Sequence, residues 1–286
     1  MEVCITGFRT QIHQMDLTDL IWLCSKYLCI DYQSLKRRVE NGNRLTLEHL
    51  STVKTTDLKK TSVIITTLTE IDSKDCNILL ELKRPFFAAV AAVAAKTVDP
   101  SVQQFELGKL LRFLSRYKYS IKQLSLTYLD TEKCLTEREV FHFCANSKDY
   151  CVGTLVKWRI PEIVTKKNVD VGCQRRIKLG ASDSKSNYGV ISIASKTGRV
   201  SVALKIRKKE KIEYVLQDYG NYIQQLQDFQ TRCRALLVSC IDFIKPSSKR
   251  ARVKAGYVRH PSWAAFLGQQ GRIEAINWSR VYTAHT

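Results

Sequence analysis

Residues 189–206 read GVISIASKTGRVSVALKI, and the fold is read outward from this stretch. In its second half Val200, Val202, Leu204 and Ile206 alternate with Arg199, Ser201, Ala203 and Lys205. Successive side chains on a strand point to opposite faces, so the pattern predicts one apolar face and one small, basic face. Lys196-Thr197-Gly198 sits between the two halves, and a three-residue loop ending in glycine suits a bulged hairpin. The expected element is a hairpin of residues 189–195 and 199–206.

On the N-terminal side of the hairpin, CVGTLVKWRI from Cys151 and RRIKL from Arg175 also read as β-structure. On its C-terminal side the period changes. Val215, Tyr219, Tyr222, Ile223, Leu226, Phe229, Cys233, Leu237, Cys240, Ile241 and Ile244 recur at spacings of three and four. That predicts one long amphipathic helix from Glu213 to Ile244, weakened at Gly220 and stopped by Pro246. Such a stripe runs about eight turns, longer than a domain of this size can bury alone. The remainder is expected to meet the first half of the chain or a second copy; Leu237, Ile241 and Ile244, near its end, are the better placed to reach a neighbour, and a homo-oligomer is expected. The segment from His260 to Thr286 carries Trp263, Phe266, Trp278 and Tyr282, as a docked tail or an assembly contact would.

The first half reads as mainly helical. Asp16 is a suitable N-cap for a helix through Leu17, Leu20, Ile21, Cys24, Tyr27 and Leu28. A second helix is expected over Tyr32–Glu40, ending at Asn41-Gly42, and a third opens at Pro85 and runs to Lys96. A fourth starts at Asp99-Pro100 and runs through Leu107, Leu110, Leu111 and Leu114 toward Tyr119. Residues 62–69, SVIITTLT, are β-branched and predict a strand. Thr136 and Glu139 have the spacing of a capping box. The expected fold class is α+β: a helical N-terminal half, then a basic β-containing C-terminal half with a hairpin and one long amphipathic helix. The expected division is 1–130, near-neutral and concerned with assembly, and 131–286, basic and polyanion-binding.

Charge sharpens that division. The chain has 46 Lys+Arg against 27 Asp+Glu, a net +19 over 286 residues. Residues 1–143 contribute only +3 of it and residues 144–286 contribute +16. Solubility alone does not require such gathering, and an anionic partner would relieve the self-repulsion. Nucleic acid is the commonest such partner, with an anionic membrane surface second. The longest apolar run, Phe86–Ala95, falls short of the ~20 residues that span a bilayer. MEVCITGFRTQIHQ lacks the basic-then-apolar order of a secretory signal. The ten cysteines are irregularly spaced and are expected to be reduced thiols in the cytoplasm or nucleus.

Between Lys166 and Lys211 lie 13 Lys+Arg and three acids. Arg175, Arg176, Lys178, Arg199, Lys205, Arg207, Lys208 and Lys209 would lie on or beside the β-structure. Cations alternating with small residues let a phosphate backbone approach closely. Tyr188 is almost the only aromatic among them, so backbone contact is expected rather than base stacking. The same residues would also make an ordinary solvated strand face. A second basic string, Lys249-Arg250-Ala251-Arg252-Val253-Lys254, follows Pro246 without an acid and fits a nuclear-import segment read by an import receptor.

No phosphate-binding glycine loop, dinucleotide motif, HExxH or nucleophile elbow is present in the sequence. Asp72 or Asp75 with Glu81 could hold a magnesium ion as a nuclease does, with Lys83 stabilising developing charge, although the same letters describe a helix with a charged exit. Cys134, His142, Cys144 and Cys151 are zinc-competent residue types but lack a C-x-x-C pair, and no metal or other cofactor is expected. The function expected is non-enzymatic: binding of nucleic acid, RNA before DNA, through its backbone, with nuclear entry. By class analogy alone this is the work of viral nucleocapsid, matrix or movement proteins. A matrix-like protein on an anionic membrane is the alternative, and a magnesium-dependent nuclease the third.

Overall fold

The computed structural model describes residues 1–15, 18–19, 22, 44–46, 62–67, 76–83, 100–156, 161–168, 172–180, 187–194, 198–217, 223–246 and 257–268. In chain order these form β1 (Glu2–Met15), β2 (Arg44–Thr46), β3 (Ser62–Thr67), β4 (Cys76–Lys83), α1 (Pro100–Leu114), β5 (Lys118–Leu129), α2 (Glu137–Ala145), α3 (Ser147–Tyr150) and β6 (Cys151–Val152). There follow β7 (Glu162–Asn168), β8 (Gly172–Leu179), β9 (Asn187–Ala194), β10 (Val200–Ile206), α4 (Lys209–Leu216), α5 (Ile223–Cys240), β11 (Asp242–Pro246), β12 (Tyr257–Arg259) and α6 (Pro261–Phe266). They divide between two compact units. One comprises Met1–Cys4, Leu126–Gln217 and Leu226–Thr286; the other comprises Ile5–Ser125 and Asp218–Gln225.

The expectation of a helical N-terminal half is overturned. The described part of the Ile5–Ser125 unit is mostly antiparallel sheet, with strand order β2-β3-β4-β1-β5. β2 pairs antiparallel with β3, β3 with β4, and β4 with β1. β1 buries Ile5, Phe8, Thr10, Ile12 and Met15. Thr10 is the polar exception, and its hydroxyl donates to the Ser120 carbonyl at 3.2 Å. The ladder runs from Gly7 opposite Lys83 to Ile12 opposite Ile78, then shifts so that Met15 meets Cys76. Gln14 absorbs the extra residue with φ 55°, a bulge that re-aims the end of the strand. Of the helix expected from Asp16, the described residues Thr18, Asp19 and Trp22 are helical. The helices expected over 32–40 and 85–96 lie outside the described residues. The fourth exists as α1 but stops at Leu114, and Tyr119 belongs to β5.

In the other unit the order is β5-β10-β9-β8-β7, with β10–β9, β9–β8 and β8–β7 antiparallel. The hairpin read from residues 189–206 is present as β9 and β10, with Val200 opposite Ile193 and Ile206 opposite Asn187. Gly198 takes φ +64° and its amide donates to Ala194 O at 2.8 Å, which closes the turn. One sheet face is mainly apolar: Ile177, Leu179, Ile191, Ile193, Val200, Val202, Leu204 and Ile206 are all buried. α5 joins this core, since Tyr128 Oη on β5 donates to Cys233 O at 2.8 Å and Asn187 Nδ2 reaches Cys240 Sγ at 3.8 Å.

The single helix expected from Glu213 to Ile244 is also overturned. α4 ends at Leu216 and α5 begins at Ile223, with Gly220 between them among the residues outside the description. α5 then ends at Cys240, and Ile244 is a strand residue on β11. Leu237, Ile241 and Ile244 do not face a second copy, because all three are buried within their own chain. The end of α5 is enclosed on every side from Ala235 to Cys240, so its last carbonyls need partners other than water. The backbone supplies them: Thr154 N donates to Ser239 O at 3.1 Å and Leu155 N to Cys240 O at 2.9 Å. Gly153 makes this approach feasible. It adopts φ +126°, and a Cβ there would lie 2.4 Å from Cys240 O.

A small antiparallel sheet, ordered β12-β11-β6, completes this unit. Beside it Phe143, Phe243, His260, Trp263 and Phe266 pack as a ring cluster, with centroids 4.6–5.0 Å apart from Phe143 through to Phe266. Trp263 and Phe266 therefore dock within the unit, and Trp278 and Tyr282 lie outside the described residues. Glu139 joins α2 to α6. It completes the expected capping box with Thr136 and also accepts from Ser262 Oγ at 2.7 Å.

Candidate nucleic-acid interface

Strand parity decides where the basic residues of β8–β10 go. Because one face is filled by apolar side chains, the directly opposed pairs Ser201–Ser192, Ala203–Val190 and Lys205–Tyr188 share the other face. β8 extends those rows, placing Arg176 opposite Ser192 and Lys178 opposite Val190. A further row lies at the hairpin end, where Gln174 faces Ala194 and the Ala194 amide donates to the Arg199 carbonyl at 3.1 Å. Arg199 and Lys205 are exposed, while Arg176 and Lys178 are half-buried among their neighbours. Between the cations stand serine, alanine, one valine and one tyrosine.

Four of the eight cations expected at the site thus share this face: Arg176, Lys178, Arg199 and Lys205. Arg207, Lys208 and Lys209 continue from the end of β10 into the first turn of α4. Arg175 goes elsewhere. It has the parity of Ile177, and its Nη1 lies 2.7 Å from Glu137 Oε1 on α2, with its guanidinium carbon 5.6 Å from the Phe141 ring centroid. At the surface Lys178 pairs with Glu162 at 3.2 Å and Lys209 with Glu213 at 3.6 Å. Exposed pairs of this kind contribute about 0–1 kcal/mol, so a phosphate can displace them. Lys211 is 5% exposed and belongs to the core; burial pulls its ammonium below the ordinary lysine range. Glu162 and Ser192 did not stand out in the sequence. Only the register of β7 with β8 and of β8 with β9 brings them beside Lys178 and Arg176.

The import segment Lys249, Arg250, Arg252 and Lys254 lies outside the described residues. Of the flanking cations, Lys245 is on β11 and Arg259 is bound to Asp242 at 2.7 Å. Asp72 and Asp75 also lie outside. Glu81 and Lys83 are on strand β4, not at a helix exit, and Glu81 is in backbone register with Arg9 and Ser62. Cys134 is half-buried, His142 is exposed, and Cys144 and Cys151 are buried. Cys151 Sγ donates to Phe143 O at 3.3 Å, His142 neighbours Asn146, and burial pushes the Cys144 thiol up. Among the described residues no three His, Cys, Asp or Glu side chains gather as a metal site. Nor is any helix among them long and apolar enough to cross a membrane.

No protein-family model, curated protein or solved structure matches the chain.

Proposed function

We propose that the protein binds nucleic acid through its phosphate backbone, without catalysing chemistry on it, at the outward face of β8, β9 and β10 and the cations that follow β10. The observation that carries this reading is the composition of that face: Arg176, Lys178, Arg199 and Lys205 separated by small side chains. Apart from Tyr188 and Val190 the residues between the cations are small, which lets a backbone approach them, and a single tyrosine offers little to read bases with. The wider charge supports it, since residues 144–286 carry +16 of the net +19.

Binding of this kind releases counterions. With four to seven phosphates neutralised, the logarithm of affinity should fall with the logarithm of salt at a slope between about −3 and −6. The test is fluorescence anisotropy of labelled RNA and DNA of unrelated sequence across a salt series. Neutralising Arg207, Lys208 and Lys209 together should weaken every sequence about equally. Vesicles rich in phosphatidylserine serve as competitors; if they displace all the nucleic acid and bind more tightly themselves, the membrane alternative replaces this reading. Nuclear entry through Lys249, Arg250, Arg252 and Lys254 belongs to the same proposal. A reporter fused to residues 245–259 should accumulate in nuclei and lose that localisation with Lys249→Ala and Arg250→Ala.

A further inference from the structure

The outward face of β8–β10 is organised as four successive rows, and each row holds one cation. Arg199 stands in the row of Gln174 and Ala194. Arg176 stands with Ser192 and Ser201, and Lys178 with Val190 and Ala203. Lys205 is opposite Tyr188. Neighbouring rows are two residues apart along the strands, about 6.7 Å, so the four span roughly 20 Å. Arg199, just before β10, and Lys205 on β10 lie two strands, about 10 Å, across the face from Arg176 and Lys178 on β8.

From this arrangement we infer that the ligand is an extended single strand of nucleic acid lying along the strand direction, with one phosphate at each row. The inference rests on the function proposed above and names the form of nucleic acid that the site takes. An extended polynucleotide repeats its phosphate at a step comparable to the row spacing, so a strand running along β9 can set one phosphate at each row, reached by a long cationic side chain from β8 or from the β10 side. A duplex turns its phosphates around a cylinder and brings fewer of them to a sheet face of this length. The second row is the best equipped. Arg176 shares its backbone register with Ser192 and Ser201, and a guanidinium and two hydroxyls are all donor types that a phosphate accepts from. At the far end Tyr188 offers a single ring beside Lys205 on which one base can stack. Glu162 works against the ligand, because it lies 3.2 Å from Lys178 and competes with the phosphate of the third row.

The test uses the full chain with fluorescein-labelled oligo-dT and oligo-U of two, four, six and ten nucleotides, and a ten-base-pair duplex, read by anisotropy. Affinity should climb steeply to about four or five nucleotides and slowly after that, with a single-strand salt slope near −3 for four phosphates. The ten-nucleotide single strand should bind at least about tenfold more tightly than the duplex. Arg176→Gln and Arg199→Gln should each weaken the single strand about fivefold and flatten its salt slope by about 0.7, while circular dichroism stays unchanged. Glu162→Gln should tighten it by about twofold to fivefold, a gain that a merely structural role would not give. Equal affinity for duplex and single strand overturns the inference and leaves phosphate binding standing. So does full binding by the Arg176 and Arg199 variants when the triple change at Arg207, Lys208 and Lys209 abolishes it. Failure to bind any of these probes at low salt removes the proposed function itself, and this inference with it.

Discussion

Arg259 holds Asp242 through two nitrogens: Nε lies 2.8 and 3.0 Å from the two carboxylate oxygens, and Nη2 lies 2.7 Å from one of them. The pair ties β12 to β11, and the two side chains are 17% and 11% exposed. Partial desolvation makes each charge dependent on the other. Asp242→Asn should therefore destabilise the unit by about 2–3 kcal/mol, since it strands a guanidinium with little water. Arg259→Lys should recover only part of the interaction, because an ammonium cannot match both oxygens at once. Urea unfolding of the two variants checks both statements; equal stability to wild type in Asp242→Asn would mean the pair contributes nothing.

Acid should weaken the α2–α6 junction in two stages. Burial lowers the His260 imidazole below its ordinary 6.5, and nearby Glu139 only partly opposes that. Burial alone would raise the Glu139 carboxyl, but hydrogen bonds from Ser262 and Thr136 outweigh it and hold the group below its ordinary 4.5. In both cases the unfolded chain binds the proton more readily, so stability rises with pH across each window. The contribution of His260 is complete above about pH 6.5 and is lost on acidification below it. That of Glu139 is complete above about pH 4.5 and disappears as pH falls further. Melting temperatures measured between pH 7.5 and 3.5 should show both declines. His260→Phe, which keeps a ring against Phe143 and removes a buried Nδ1 that lacks a hydrogen-bond partner, should abolish the first decline and leave the second.

Leu237 is fully buried, so Leu237→Asp should unfold the chain rather than merely separate copies. An unpaired carboxylate in that position costs several kcal/mol. Tyr128→Phe, which removes only the hydroxyl donating to Cys233 O, should cost about 1 kcal/mol and leave the fold intact. Circular dichroism with thermal melts separates the two. A folded, soluble Leu237→Asp protein would place the residue on a surface.

Gly153→Ala should be among the most damaging small changes. The new methyl would meet Cys240 O at 2.4 Å, and φ +126° is strained for any L side chain. Since the atom it meets is backbone, relief requires moving the end of α5. A loss of about 3 kcal/mol or more is expected in chemical denaturation.

The adjacent arginines make a sharp comparison. Arg175→Ala should lower stability by about 0–1 kcal/mol through loss of the exposed Glu137 pair, with nucleic-acid affinity little changed. Arg176→Ala should weaken binding by about fivefold or more. Equal effects of the two on binding would show that the ligand does not distinguish the two sheet faces.

The hairpin was legible because its apolar face is buried without interruption and its other face is not; a one-residue slip would reverse every side chain. β1 hides the same period. Gly7 and Phe8 are buried in succession, Thr10 is a buried hydroxyl, and the bulge at Gln14 shifts the last turn of the pattern. β4 reads CNILLELK, an apolar run that periodicity alone cannot assign to helix or strand. The over-long helix has the opposite cause. From Ala235 to Ile244 every residue is buried, so no polar face marks the change from α5 to β11. At the site the residue types were legible but the sidedness was not. Arg175 separates from Arg176 only when strand parity is fixed by Ile177 and Leu179.

The division of the chain bears on the order in which it can fold as it is made. One unit needs Met1–Cys4, Leu126–Gln217 and residues from Leu226 onward, while the other needs Ile5–Ser125 and Asp218–Gln225. Neither is complete when the first 125 residues have left the ribosome. At roughly 5–20 residues per second, Val3 waits on the order of 10–50 s for the core that includes Phe266. During that interval the long apolar strand β1 is the segment most in need of a chaperone. Expression of residues 1–125 alone should therefore yield aggregation-prone material, and the productive place to divide the gene is not the midpoint of the chain.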